Sequence, residues 1–258
     1  MGVLDDKVVL ISGATQGVGA GIARAAVREG AAVSVTGRSA EKGEKLAAEL
    51  RERGGEASFF RCDVADVAQI RSAVEQTVET HGLIHCLVNS AGLTTRGTLL
   101  DTTQELFDAH VAVNLRAPFF FMQEVVGRLK AAGRPGTIVN VISSSEHGGQ
   151  PYLAPYVAAK AGLAGLTRNA AHAHRWDRIR INGLNIGWTA TEGEDAVQRR
   201  FHGAEDGWLE QAAASQPMGK LGQVDEIADF VAFLLSERSG VVTGSVIDWD
   251  QQVIGGMD

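Results

Sequence analysis

Seven short apolar runs separated by longer helical stretches predict an α/β fold, a doubly wound parallel sheet of seven strands with helices on both faces. Two further observations point the same way. A glycine-rich turn, SGATQGVG from Ser12 to Gly19, follows directly on the apolar run Val8–Ile11. In a doubly wound sheet, ligands are received at just such a strand end. The 258 residues also carry 45% hydrophobic and 21% charged side chains with no stretch of linker composition, which suits a single domain over 1–258.

In order along the chain, the runs Lys7–Ser12, Ala32–Thr36, Ala57–Cys62, His85–Asn89, Gly136–Ser143, Ile179–Leu184 and Ser245–Trp249 read as strands. Apolar residues spaced by three and four mark helices over Ala20–Glu29, Ser39–Arg53, Val67–Thr80, Gln104–Ala131, Pro155–Arg175 and Val224–Ser236. Parallel strands joined through helices need right-handed crossovers, which stack the helices on the two sheet faces. One stretch breaks the rhythm. Residues 187–216 carry four glycines and read as an irregular insertion, a substrate lid.

The totals exclude several classes. A net charge of −7, from 24 basic and 31 acidic residues, argues against a general grip on nucleic acid. No run of 18 apolar residues occurs and the N-terminus lacks a signal-peptide pattern, so a cytoplasmic protein off the membrane is expected. Cys62 and Cys86 sit in apolar strand-like runs and read as buried free thiols rather than a disulfide. No metal is expected.

The glycine turn has a chemical use. A strand end without side chains lets backbone approach a pyrophosphate, and the following helix points free N–H groups and its positive dipole end at the charge. Side chains at Gly13, Gly17 or Gly19 would block that approach. A tight turn alone would also use glycine, but strand before and helix after give the cluster its meaning. Dinucleotide sites for NAD place an acid on the ribose about 20 residues further on. Here the second run ends in Gly37 and Arg38, with no acid at that place. A guanidinium there suits a 2′-phosphate through bidentate charge-assisted hydrogen bonds, so NADP is expected over NAD, the bland alternative being a solvated surface arginine.

The spacing G-x-x-x-G-x-G, a Rossmann-like variant, resembles the short-chain dehydrogenase/reductase family. The resemblance runs from Lys7 to Asp250. It implies that Thr15, Gln16 and Val18 of the turn contact the nucleotide with the three glycines. It also implies that Asp63 meets the adenine amino group, with Val64 against the ring. NSAG, Asn89 to Gly92, looks like the family's N-N-A-G with Ser90 replacing an asparagine; Asn89, Ala91 and Gly92 would line the cofactor floor. After the sixth strand the family's Pro-Gly reads Ile186-Gly187, and Thr189 and Thr191 would hold the carboxamide and the pyrophosphate.

PYVAAK puts Tyr156 and Lys160 four apart behind Pro155, on one helix face. Hydride reduction of a carbonyl leaves an oxyanion that needs a proton, and the reverse needs a base. A free phenol, with pKa about 10, is too weak a base at neutral pH. An ammonium about 4 Å away at an effective dielectric near 20 contributes about 4 kcal/mol to the phenolate. That would bring Tyr156 down towards about 7, where general acid–base catalysis works well. Three serines follow the fifth strand and read plainly as a polar loop. The resemblance selects Ser143, which would donate to the carbonyl oxygen. Asn114, in an otherwise helical run, reads as a satisfied polar residue or a kink; by resemblance it holds a water beside Lys160. The catalytic set is therefore Asn114, Ser143, Tyr156 and Lys160.

The substrate pocket is expected between 94–98, 146–152 and the insertion at 187–216, with Glu146 and His147 either binding a hydroxylated substrate or lying exposed. Ala159, Gly162, Ala164 and Gly165 form a small-residue face on the Pro155 helix, and the ending QQVIGGMD is apolar enough to dock on a partner, so a homodimer or homotetramer is expected. Together these readings give an oxidoreductase passing a hydride between NADP(H) and a carbonyl or secondary alcohol. A nucleotide-binding regulator without turnover, and a dehydratase or epimerase, are the alternatives.

Overall fold

The computed structural model describes residues 2–254. The strands are β1 Val8–Ser12, β2 Ala32–Gly37, β3 Ala57–Arg61, β4 Cys86–Asn89, β5 Gly136–Val141, β6 Ile179–Ile186 and β7 Val246–Trp249. They form one seven-stranded sheet in the order β3-β2-β1-β4-β5-β6-β7, with every neighbouring pair parallel. Strand order reverses between β1 and β4, where Ser12 lies opposite Asn89 at the carboxyl ends. This is the switch point at which a doubly wound sheet opens a crevice.

The helices are α1 Gly17–Arg28, α2 Ala40–Glu52, α3 Val67–His81, α4 Gln104–Val111, α5 Ala117–Ala131, α6 Ala154–His174, α7 Glu192–His202, α8 Trp208–Ala214 and α9 Val224–Leu235. Alternation along each strand divides the core in two. Val9, Ile11, Val33, Val35, Val88 and Val139 face one side, against α1 and α9. Val8, Leu10, Leu87, Ile138 and Ile181 face the other, against α3 and α5, where Phe121 is fully buried. Each such side chain contributes about 1.5–3 kcal/mol, and the apolar runs are near-continuous because both faces are covered. Ser39 caps α2 by accepting from Lys42 N at 3.3 Å, and Asp66 caps α3 by accepting from Ala68 N at 2.8 Å.

Three elements differ from the sequence reading. The single helix expected over Gln104–Ala131 is two, joined by a π-helical turn at Ala112–Arg116 that carries Asn114. Asn114 bonds sideways to the chain at Leu93, and the wider turn accommodates it. The irregular stretch 187–216 contains α7 and α8. Thr191 caps α7 by accepting from Glu194 N at 3.0 Å. Acids Glu192, Glu194 and Asp195 fill its first turn, bases Arg199, Arg200 and His202 its last, and Gly203 (φ 64°) ends it. The small residues of α6, finally, serve this chain's own packing. Ala159 and Ala164 are buried, and a methyl at Gly162 would meet Leu115 at 3.0 Å, while Gly165 alone has open space beside it. Of the ending QQVIGGMD, residues 255–258 lie outside the described residues. Gln251 is tied to the body, donating to Lys220 O at 2.7 Å.

Candidate active site

The carboxyl ends of β1, β4, β5 and β6 surround the crevice. At β1 the glycines do two different jobs. A methyl on Gly13 (φ 67°) would fall 2.4 Å from Ala91 Cα, and one on Gly19 would fall 2.6 Å from Gly13 O. Those two positions are bare at least because the chain packs on itself there. Only Gly17 (φ 55°) opens outward, with the Thr191 methyl 3.7 Å from where its Cβ would be.

Two features fit a dinucleotide. Gln16 stands at the N-cap of α1 with no side-chain hydrogen bond to the helix, which leaves the first N–H groups of α1 without a side-chain cap at the crevice. Asn89, buried at the end of β4, donates to Asn140 Oδ1 at 2.8 Å, yet its own Oδ1 has no protein partner. Around the β2 end, Arg38 is exposed and makes no side-chain hydrogen bond among the described residues, and a methyl on Gly37 would strike Thr15 Cγ2 at 2.5 Å. Sequence reasoning missed Lys42, whose Nζ donates to Gln16 Oε1 at 2.8 Å and sets a second cation on this rim. Asp63 spends Oδ1 on Ala65 N, and Val64 packs into the core with Ile70. Val18 packs against the other core cluster. Ala91 and Gly92 follow β4 directly, and both N–H groups of Ser90 and Ala91 point at Ser12 Oγ.

On the β6 side the strand runs two residues past its expected end, to Ile186, a place where proline would have interrupted the backbone. A side chain on Gly187 would collide with Asp250 Oδ1 at 2.1 Å. Thr189 donates its hydroxyl to Gly187 O at 2.9 Å and keeps its lone pairs. Thr191 accepts from α7 and keeps its hydroxyl hydrogen.

α6 delivers Tyr156 and Lys160 one turn apart, both buried, with Lys160 Nζ 5.7 Å from the centre of the Tyr156 ring. Ser143, just past β5, lies close enough to the phenol to pull its pKa down, and it accepts from Ser145 N at 3.2 Å. Asn114 clamps Leu93 from both sides, accepting from its N–H at 2.9 Å and donating to its carbonyl at 3.0 Å. It also donates to Nδ1 of His110 at 3.2 Å, and that histidine, unremarked in the sequence, stands edge-on to Tyr156 with ring centres 6.2 Å apart. Burial pushes His110 below its ordinary pKa and so keeps it neutral.

The electrostatics overturn one expectation. Tyr156 is pushed up to about 12, because burial of the phenolate outweighs the pull of Ser143 and the field of Arg96, while Glu194 adds to the rise. Lys160 is itself pushed down to about 8 by burial, and its Nζ donates to Val141 O at 2.8 Å rather than to the phenol. Glu146 and His147 turn away from the phenol. With Asn185 and Asp248 they make a polar cluster in which His147 Nε2 lies 2.8 Å from Asp248 Oδ1 and Asn185 donates to that same oxygen at 2.7 Å. Cys62 and Cys86 are free, buried and raised to about 12 by burial.

A glycine turn at a switch point, with a half-buried serine and a buried tyrosine and lysine at the same sheet end, is the arrangement of a nucleotide-dependent oxidoreductase. A family model described as enoyl-(acyl carrier protein) reductase matches residues 13–253. An uncharacterized oxidoreductase of Thermotoga maritima is 38% identical over 245 residues, covering 95% of this chain and 96% of the relative. A cyclohexanol dehydrogenase of an Acinetobacter species is 34% identical over 249 residues, covering 93% and 92%. Among solved structures, a variant of actinorhodin polyketide ketoreductase with NADPH superposes with a TM-score of 0.91 at 31% identity, covering 97% of this chain and 98% of that one. The chain belongs to the short-chain dehydrogenase/reductase family of enzymes. Among the described residues no helix is long and apolar enough to cross a membrane, and no group of metal-ligating side chains occurs.

Proposed function

We propose that this enzyme passes a hydride between NADP(H) and a carbonyl or secondary alcohol, with Tyr156 as general acid and base. The carrying observation is the convergence of Ser143, Tyr156 and Lys160 at the end of β5, at the same sheet end as the start of α1, which has no side-chain cap. The bound nicotinamide supplies the hydride. The chain supplies the rest. Ser143 donates to the substrate oxygen, Tyr156 gives it the proton as negative charge develops, and Lys160 brings positive charge close to the phenol. Asn114 holds the Leu93 backbone beside this group, and water and His110 next to it complete a polar path.

NADP is preferred over NAD in this reading because Gly37 leaves no acid at the β2 end while Arg38 and Lys42 bring cations there. The NADPH-bound ketoreductase neighbour supports it. The 187–216 segment acts as the substrate lid. We place the enzyme in the cytoplasm as a homodimer or homotetramer, to be read by light scattering. The regulator alternative predicts binding without turnover. Ketones and alcohols followed at 340 nm with NADPH and NADH in parallel test all of this. Tyr156→Phe should abolish turnover with cofactor affinity retained; equal inertness of wild type and variant across the panel refutes the proposal, and a clear preference for NADH refutes the cofactor assignment.

A further inference from the structure

Arg96 was not singled out by the sequence, where it closes a polar loop, Thr94-Thr95-Arg96. The fold brings it to the catalytic helix. Gly97 N donates to Tyr152 O at 2.9 Å, and Ala154 N donates to Gly97 O at 3.0 Å, so a two-bond bridge fastens the Arg96 loop to the start of α6. Tyr156 follows two residues later. The guanidinium is positioned rather than loose. Nη1 donates to Thr94 O at 2.8 Å, while Nε and Nη2 lie 3.3 and 3.1 Å from His202 Nε2 on the lid helix α7. Its carbon lies 5.2 Å from the centre of the Tyr152 ring and 5.9 Å from that of Phe201. Stacking on aromatic faces and donation to neutral acceptors hold an arginine in place without cancelling its charge.

Its charge is also left uncancelled. Among the described residues no carboxylate pairs with Arg96, although the chain carries seven more acids than bases. The one acid whose field reaches the phenol, Glu194, is occupied by Trp188 Nε1 and Gln198 Nε2, each at 2.7 Å. Three of the five guanidinium N–H groups are in use, which leaves two without a protein partner on a guanidinium set between the start of the catalytic helix and α7.

We propose that Arg96 makes this enzyme selective for substrates bearing a carboxylate near the carbonyl or carbinol carbon. The inference rests on the oxidoreductase reading of the same site and adds its substrate class. An oxo acid bound with its carbonyl oxygen on Ser143 and Tyr156 turns its carboxylate to the two remaining N–H groups, and their charge-assisted hydrogen bonds fix which end of the molecule faces the phenol.

The test uses matched pairs of 2-oxo and 3-oxo acids and their methyl esters, same skeleton, with the full enzyme and NADPH. A hydrogen-bonded charge is worth about a tenfold to hundredfold preference in kcat/KM for the acid over the ester. Arg96→Gln should bring that ratio close to one, and Arg96→Lys, which keeps the charge but not the fork, should fall between. If wild type treats acid and ester alike, the proposal is overturned. It is equally overturned if Arg96→Gln slows both members of a pair by the same factor, since that is the signature of a lid fastening alone. Should esters and acids both fail to turn over in wild type, the oxidoreductase reading has failed instead, and the anion site is then judged by calorimetric titration. Benzoate binding where benzamide does not, lost in Arg96→Gln, supports the site; equal binding of the two, or none, overturns it.

Discussion

Lys160 offers a quantitative test that needs no substrate. Burial lowers its pKa from 10.5 to about 8. A cation whose folded pKa is depressed binds fewer protons folded than unfolded between those values, so stability rises with pH across that window. From pH 7.5 to pH 9.5 the lysine should add about 2 kcal/mol to the unfolding free energy. Wild type alone would not reveal it. Cys62 and Cys86, raised from 9.0 to about 12, lose stability over the same range, together by about 1–2 kcal/mol. Tyr156, raised from 10.0 to about 12, takes off little by pH 9.5, because its unfolded pKa lies above that range. The informative quantity is therefore the difference between wild type and Lys160→Met, in which the thiol and phenol contributions cancel. Urea unfolding of both proteins without cofactor at pH 7.5, 8.5 and 9.5 should show wild type gaining about 2 kcal/mol on the variant. A flat difference would mean that the amine keeps an ordinary pKa, and the reasoning from burial would be wrong.

Other outcomes follow from packing and access. Gly13→Ala forces a methyl to within 2.4 Å of Ala91 Cα at a positive φ, and should cost about 2–5 kcal/mol by thermal or urea unfolding, whereas a site bare only for a ligand would leave apo stability nearly unchanged. Asn114→Ala strips the partners from both Leu93 backbone groups and should destabilise by about 2–4 kcal/mol, with Asn114→Asp keeping only the acceptor half of the clamp and losing less; equal stability of all three would contradict the geometry. Cys62 and Cys86 should resist a thiol reagent at pH 8 until urea unfolds the chain, and prompt labelling of either would contradict their burial.

The parts of the fold that follow from local rules were legible. Near-continuous apolar runs such as Val8–Ile11 marked strands covered on both faces, and the Ser12–Gly19 turn marked the crevice. The helix α7 was legible in principle too, since Thr191, the acids behind it, the bases of its last turn and Gly203 are ordinary start and stop signals. The four glycines of the 187–216 stretch outweighed them. Spacing brought Tyr156 and Lys160 onto one face, yet their proton affinities depend on how deep that face is buried and on Val141 O, neither of which a four-residue interval encodes. Glu146 and His147 found partners on β6 and β7, about 40 and 100 residues away, and Arg96 found its place through a backbone bridge. Contacts made across such distances leave no periodic trace in the chain.

The short bridge that joins Thr189 to Gly222 has a mechanical result. Gly222 N donates to Trp188 O at 2.9 Å and Ala190 N donates to Gly222 O at 3.0 Å, which rivets 188–190 to the main body. A swing of α7 must therefore pivot beyond Ala190, at Thr191, whose methyl leans on the Gly17 position. For the proposed lid this sets the pivot next to the Ser12–Gly19 turn, so that a swing of α7 leaves that turn in place.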